Sequence, residues 1–532
     1  MKSIKAPAGQ ARFAALSCRK LSALLLSLVL LLLSLVSCGD KQPDDLTVER
    51  RLPTKEITLG YIKADSLNPY TVTTLANSVL LPLMYDTLFD VTARLEPVPS
   101  IALSYESSGT KLAVSIDSGV HFSDGSLLTV EDVMYSFNKA KNSSRFSEEL
   151  ACINSVQKTG EHTCVFNLKN ENPYAVCLLT FPIVKNMTAE SDDSLPIGSG
   201  KYILQSDERL CHNSLHSADI LDVGAIRLHP MSGDENIRHL LDLGTIDAFV
   251  YDLSGSRVSA ALTNKTTVAR NRFLFMGINS QNYTLAIPNV RRALSFGVNR
   301  SELADSVFST MLRPAYTPFS PDWTVFDSIE KSNNNALDYN SATAVLEEEG
   351  FTDALPSGVR SGVHGVLDYS LLVNQGNDYR MNVAESIRSS LRKLGVNINI
   401  KALPYAEYLT ALSEGNFDLY LGEVLLPADG DLSVFFTSNK AAAVGIAASS
   451  PAREAYHEYR SGSLSVESFL ADFNADMPFI PLGYGSDLLV CSRRIKQNDA
   501  PIYINDALSG IVAWSVSLPT EEGTAETISN LG

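Results

Sequence analysis

Residues 383–424 read VAESIRSSLRKLGVNINIKALPYAEYLTALSEGNFDLYLGEV, and their periodicity decides the fold class. Val383, Ile387, Leu391 and Leu394 recur at helical spacing, and Gly395 supplies a left-handed helix cap. Val396–Ile400 then alternates apolar and polar as a half-buried strand. Tyr405–Glu414 is helical again, Gly415 stops it, and Phe417–Val424 reads as a buried strand. Helix–strand–helix–strand is the order of a doubly wound α/β protein, whose ligand crevice lies beyond the strand C-termini.

The rest of the body follows the same alternation. Ile57–Ile62, Lys111–Ile116 and His162–Leu168 read as strands, and Asn77–Phe89 as an apolar helix that Pro82 kinks or starts late. Thr129 with Asp132 forms a capping box for a helix over Val130–Lys141. Asn289 caps a helix carrying Val290, Leu294 and Val298, and Ser341–Glu349 is a short helix ended by Gly350. The chain has 532 residues, 45% hydrophobic, with 43 Lys+Arg against 60 Asp+Glu. That composition excludes a collagen, a disordered chain and a disulfide-dense miniature domain. A net charge of −17 argues against nucleic acid, which demands a clustered basic surface.

The N-terminus reads as an address. Lys2, Lys5, Arg12, Arg19 and Lys20 precede an uncharged run, Leu21–Val36, which reaches Cys38. A basic segment followed by a short apolar one is the export pattern, and the run is short for a bilayer span. An N-terminal anchor helix that stays attached is the competing reading. Five cysteines lie beyond Cys38, at 152, 164, 177, 211 and 491, in no metal-binding spacing. Buried thiols are the default, with one disulfide among the first four left open.

Catalytic patterns fail on inspection. Gly198-Ser199-Gly200-Lys201 looks like a phosphate loop, but Tyr202 stands where a hydroxyl should bind Mg²⁺ and Leu195 where a glycine should turn, so a tight turn before a strand is expected. Cys211, His212 and His216 are spaced for a metal on a helix, yet their polar flanks favour a loop. No GxSxG or HExxH occurs.

A different set of stretches carries a resemblance. SLNPY (66–70), MYDTLF (84–89), PSIALSY (99–105) and GVHFSDGSLLTVEDVMYSF (119–137) are similar to the family 5 extracellular solute-binding proteins. PIGSGKY (196–202), NVRRALSFGVNR (289–300), FDLYLGE (417–423) and PFIPLGY (478–484) follow in that family's order. LVSCG (35–39) resembles the bacterial lipobox. The resemblance implies a type II periplasmic-binding-protein-like α/β fold with two lobes and a two-strand hinge. Lobe I would comprise 53–98, 195–273 and 487–520, enlarged by an inserted subdomain at 99–194. Lobe II would be 274–486. Residues 1–37 would be a lipoprotein signal peptide, 38–52 a lipidated Cys38 and tether, and 521–532 a loose tail.

Function follows from the same resemblance. It implies a monomeric, lipid-anchored binding subunit at the outer face of the cell membrane, serving an ABC permease with peptides or peptide-like solutes as cargo. It calls for no catalysis, cofactor or metal. The ligand-binding set it implies is Thr73, Thr74, Leu75, Phe275, Gly422, Glu423, Val424 and Asp429. Relatives place Trp where Glu423 stands and an Asp three residues later, where this chain has Leu426. Asp429, Asp431 or Glu423 itself is then expected to hold a ligand ammonium. The alternatives are a peptide-signal receptor, a nickel or metal-chelate carrier and an exported hydrolase.

Overall fold

The computed structural model describes residues 55–517, apart from 192–193, 217–220, 234–235, 254–263, 310, 327–335 and 439. Residues 1–54 and 518–532, on which the expected signal peptide, lipidated Cys38, tether and loose tail fall, lie outside the described residues. Lys55 onward forms one compact unit.

An 11-stranded sheet organises it. In chain order its strands are β1 (Glu56–Ile62), β2 (Tyr202–Leu204), β3 (Arg209–His212), β4 (Ala225–Met231), β5 (Ala248–Tyr251) and β6 (Lys265–Ile278). They continue with β7 (Leu312–Pro314), β8 (Asp368–Asn374), β9 (Asn397–Leu403), β10 (Leu419–Leu425) and β11 (Phe479–Cys491). The spatial order is β9-β8-β10-β6-β11-β5-β1-β4-β3-β2, with β7 on β11. Two lobes are legible in that order. β5, β1 and β4 run parallel at one end, and β9, β8 and β10 run parallel at the other. The long strands β6 and β11 join them, antiparallel from Lys265↔Val490 to Gly277↔Phe479. Register shifts at Ala269/Arg272 and Leu274/Phe275 bend the pair midway, as bulges do.

A separate four-stranded sheet, built from Ala102–Ser108, Lys111–Ile116, Thr163–Leu168 and Ile153–Lys158, carries the Val130–Lys141 helix. That helix starts as its sequence predicts: the Thr129 N–H and hydroxyl donate to Asp132 at 2.8 and 2.7 Å. Other boundaries shifted. Leu75–Ser78 and Leu81–Met84 are two short helices with Pro82 near the start of the second, and Phe89 belongs to a strand. Pro288 opens its helix from inside, because its fixed φ suits the first turn, so Ile287 is the N-cap and Asn289 binds Glu349. The five described cysteines are all free thiols.

Lobe II is held by aromatic packing. Phe273 and Phe275 of β6 meet Phe435 and Phe479, the last two stacked 4.2 Å apart. Among the described residues, no helix is long and apolar enough to cross a membrane.

Candidate functional site

The glycine turn at 198–201 builds one wall of a cleft. The Gly200 N–H donates to the Met84 carbonyl at 3.0 Å, and a Cβ there would meet Met84 and Tyr85 backbone atoms within 2.3–2.6 Å. Only glycine permits that approach. It sets Lys201 and Ser199 beside Asp86 and Asp90, and the Ser199 hydroxyl donates to Asp86 at 2.8 Å. The C-terminal segment closes the same wall, with Ile504 N–H on the Val91 carbonyl at 2.7 Å and Asp506 accepting from Leu508 N–H at 3.0 Å. Arg145 and Glu149 enter from the subdomain side, and Arg270, Leu425 and Ala428 from β6, the end of β10 and the loop beyond it. Together they enclose a cavity of about 180 Å³.

The charges are unevenly satisfied. Arg270 is paired with Asp487 at 3.0 Å, outside the cavity lining. Among the described residues, Arg145, Glu149 and Lys201 have no side-chain hydrogen bond or ion pair, although the Arg145 cation lies 5.3 Å from the Phe146 ring. Burial, aided by the Asp429 charge, pushes Glu149 up to about 7. Burial likewise lifts Asp506 to about 6 against the pull of Lys201, and raises Asp90. Asp86 is buried too, but His216, Lys201 and Ser199 outweigh the desolvation and hold it below the usual range. His216 approaches Asp86 at 3.4 Å. Unpaired charges in a low-dielectric cleft are costly until a partner arrives.

None of the eight positions expected from sequence lines this cavity. Thr73 and Thr74 spend their N–H groups on the Asp65 carboxylate, at 3.1 and 2.8 Å, because Thr74 caps the helix that Leu75 opens. Those donors are therefore taken. Phe275 is 1% exposed, stacked within the lobe II core with its ring over Gly422. Glu423 is clamped by Arg272, at 3.1 Å, and by Arg380, so its charge is paired within the protein. Asp429 is 1% exposed and accepts from Asn172 at 2.7 Å, with Arg460 at 3.3 Å and Asp431 N–H at 3.1 Å. Its carboxylate is committed to joining the loop after β10 to the segment at Asn172. Asp431 is likewise engaged, by Ser433 and Tyr456.

Gly422, Glu423 and Val424 pair with Phe275, Leu274 and Phe273 along one edge of β10. On the other edge, pairing with β8 ends at Tyr420, and the Leu421 carbonyl accepts from the Tyr408 hydroxyl at 2.7 Å. No strand covers that edge at Gly422–Leu425 among the described residues. Cys211 and His212 sit on β3 with His216 in the turn after it, and no described cluster of His, Cys, Asp and Glu could hold a metal. Sequence reading passed over Arg145, Glu149 and Asp506, which belong to no motif. Lys201 carried a signal, since it ends the glycine turn.

Residues 96–443 match the bacterial extracellular solute-binding proteins, family 5 (middle), and the chain belongs to that family. It is 23% identical over 366 residues to the oligopeptide-binding protein AppA of Bacillus subtilis, covering 63% of this chain and 66% of that protein. The chain thus spans just under two thirds of that curated relative. AppA solved with a nonapeptide superposes with a TM-score of 0.58 at 19% identity, over 87% of this chain and 99% of that one. Di/tripeptide-binding protein 2 of Pseudomonas aeruginosa is 23% identical over 79% of this chain and 83% of its own length. An ABC transporter substrate-binding protein from Sinorhizobium meliloti matches with a TM-score of 0.70 at 17% identity, covering 87% and 100%.

Proposed function

We propose that this chain captures a small peptide-like solute between its lobes and delivers it to an ABC importer. The observation that carries the reading is the cavity itself: a partly open space astride both lobes, where three lining charges, Arg145, Glu149 and Lys201, have no side-chain hydrogen bond or ion pair among the described residues. At about 180 Å³ it falls below the ~300–1,000 Å³ of drug-sized sites, which favours cargo of amino-acid to dipeptide size. The uncovered edge at Gly422–Leu425 supports backbone pairing with an extended ligand, in the manner of an added strand. Binding would then shift the lobes toward the closed form that a permease recognises. The leader pattern and LVSCG support export and a lipid anchor at Cys38, which places capture at the outer membrane face.

Native mass spectrometry on the gently purified protein tests this reading. The expected result is one bound small molecule per chain, lost on unfolding and replaceable by short peptides. A protein that arrives empty and ignores both short peptides and amines would overturn it.

A further inference from the structure

The cavity carries more negative than positive charge, and the imbalance is local. Four carboxylates line it, from Asp86, Asp90, Glu149 and Asp506, against the cations of Arg145, Lys201 and Arg270. Arg270 already serves Asp487 and Asp86 has His216 and Ser199, which leaves Arg145 and Lys201 for Asp90, Glu149 and Asp506. Asp86, Asp90 and Asp506 share the wall where Lys201 is the only lining cation among the described residues. His216 touches Asp86 from the side away from that lining. Arg145 and Glu149 come together from the neighbouring segment and offset one another, so the excess negative charge lies on the wall of Asp90 and Asp506.

From this arrangement we infer that the cargo is a small solute with excess positive charge, its ammonium lodged beside Asp90 and Asp506. The inference rests on the solute-binding reading above and adds the substrate class. Desolvated carboxylates accept a cation far better than a second anion, so the site discriminates by repulsion as well as by attraction. A ligand carboxylate has one favourable place, against Arg145. A basic dipeptide or a basic amino acid supplies both groups. Burial raises the Glu149, Asp506 and Asp90 carboxyls, and a cation beside them would lower them again.

The test is calorimetric titration of the intact protein at pH 7.5, stripped of bound solute, with Lys-Ala, Ala-Ala, Glu-Ala and the diamine cadaverine. Lys-Ala should bind at least tenfold tighter than Glu-Ala. Asp506→Asn, whose amide oxygen can still accept from Leu508, should shrink that ratio at least threefold with a melting temperature no lower than the parent's, and Asp90→Asn should do the same. Dipeptides that bind without regard to charge would overturn the inference and leave the solute-binding reading standing. Cadaverine binding without any dipeptide would keep the cationic class and remove the peptide label. Silence from all four would remove both.

Discussion

Asp429 offers the sharpest prediction, because sequence and structure assign it opposite roles. If it fastens the loop after β10 to Asn172, then cutting that contact should weaken folding and spare the ligand preference. The Asn172 amide donates to the carboxylate at 2.7 Å, and the two residues are 4% and 1% exposed. A hydrogen bond to a charged group contributes about 1.5–3 kcal/mol. Burial raises the Asp429 carboxyl, and the neighbouring Arg460 cation opposes that rise. In Asn172→Ala the carboxylate keeps Arg460 and Asp431 N–H, which limits the cost to about 1–2 kcal/mol. Unfolding entropy of ~2.1 cal/mol/K per residue, over roughly 460 residues, converts this to a melting shift of about 1–2 °C. Urea denaturation of Asn172→Ala, Asp429→Asn and the double variant should give a coupling energy of about 1 kcal/mol. Single effects that add within ~0.3 kcal/mol would refute the contact. So would an Asp429→Asn variant with full stability and tenfold weaker binding of Lys-Ala, which would restore Asp429 to the ligand site.

Further outcomes follow from the hinge, the aromatic core and the cavity acids. Glu423→Gln takes the charged partner from Arg380 and leaves Arg272 with Asp252 at 3.5 Å, so it should cost about 1–3 kcal/mol by denaturant titration, with Lys-Ala affinity within threefold; intact stability with weakened binding would move Glu423 into the site. Gly430 has φ +72° and a Cβ there would lie 2.5 Å from the Trp323 ring, so Gly430→Ala should lose about 1–3 kcal/mol and red-shift tryptophan emission. An unchanged melting temperature and spectrum would show that the ring can move aside. Glu149 at about 7, with Asp506 and Asp487 at about 6, holds protons in the native state that the unfolded chain has released. Native then binds more protons than unfolded, so stability falls as pH rises from ~4 through about 7. Melting of the solute-free protein should drop across that window and Lys-Ala should offset the drop, whereas a rise would contradict these assignments.

How much of this was legible in sequence depended on whether local or distant chemistry decided each feature. The Val130–Lys141 helix was readable because Thr129 and Asp132 are its own neighbours. The run from Asp378 to Leu425 was readable because its elements are periodic and each of its two helices is followed by a glycine in the left-handed region, Gly395 or Gly415. The cleft was not, because its walls come from positions more than 400 residues apart, such as Asp86 and Asp506. Counting along the chain from Leu67-Asn68-Pro69 led to Thr73 and Thr74, but Asp65 had already claimed their N–H groups. Counting from the FDLYLG strand stopped at Val424, one residue short of Leu425. A carboxylate in a loop, such as Asp429, carries no sequence mark that separates a ligand partner from a buried tie.

Glu149→Gln tests the central claim most directly, because Glu149 lines the cavity without a partner among the described residues. Removing a half-buried carboxylate without a partner should raise the melting temperature of the solute-free protein and, by lowering the cavity's negative charge rather than by losing a direct ammonium contact, weaken Lys-Ala about threefold in calorimetry. A lower melting temperature with undiminished binding would make Glu149 a structural residue and would contradict the account of the cavity as the solute site.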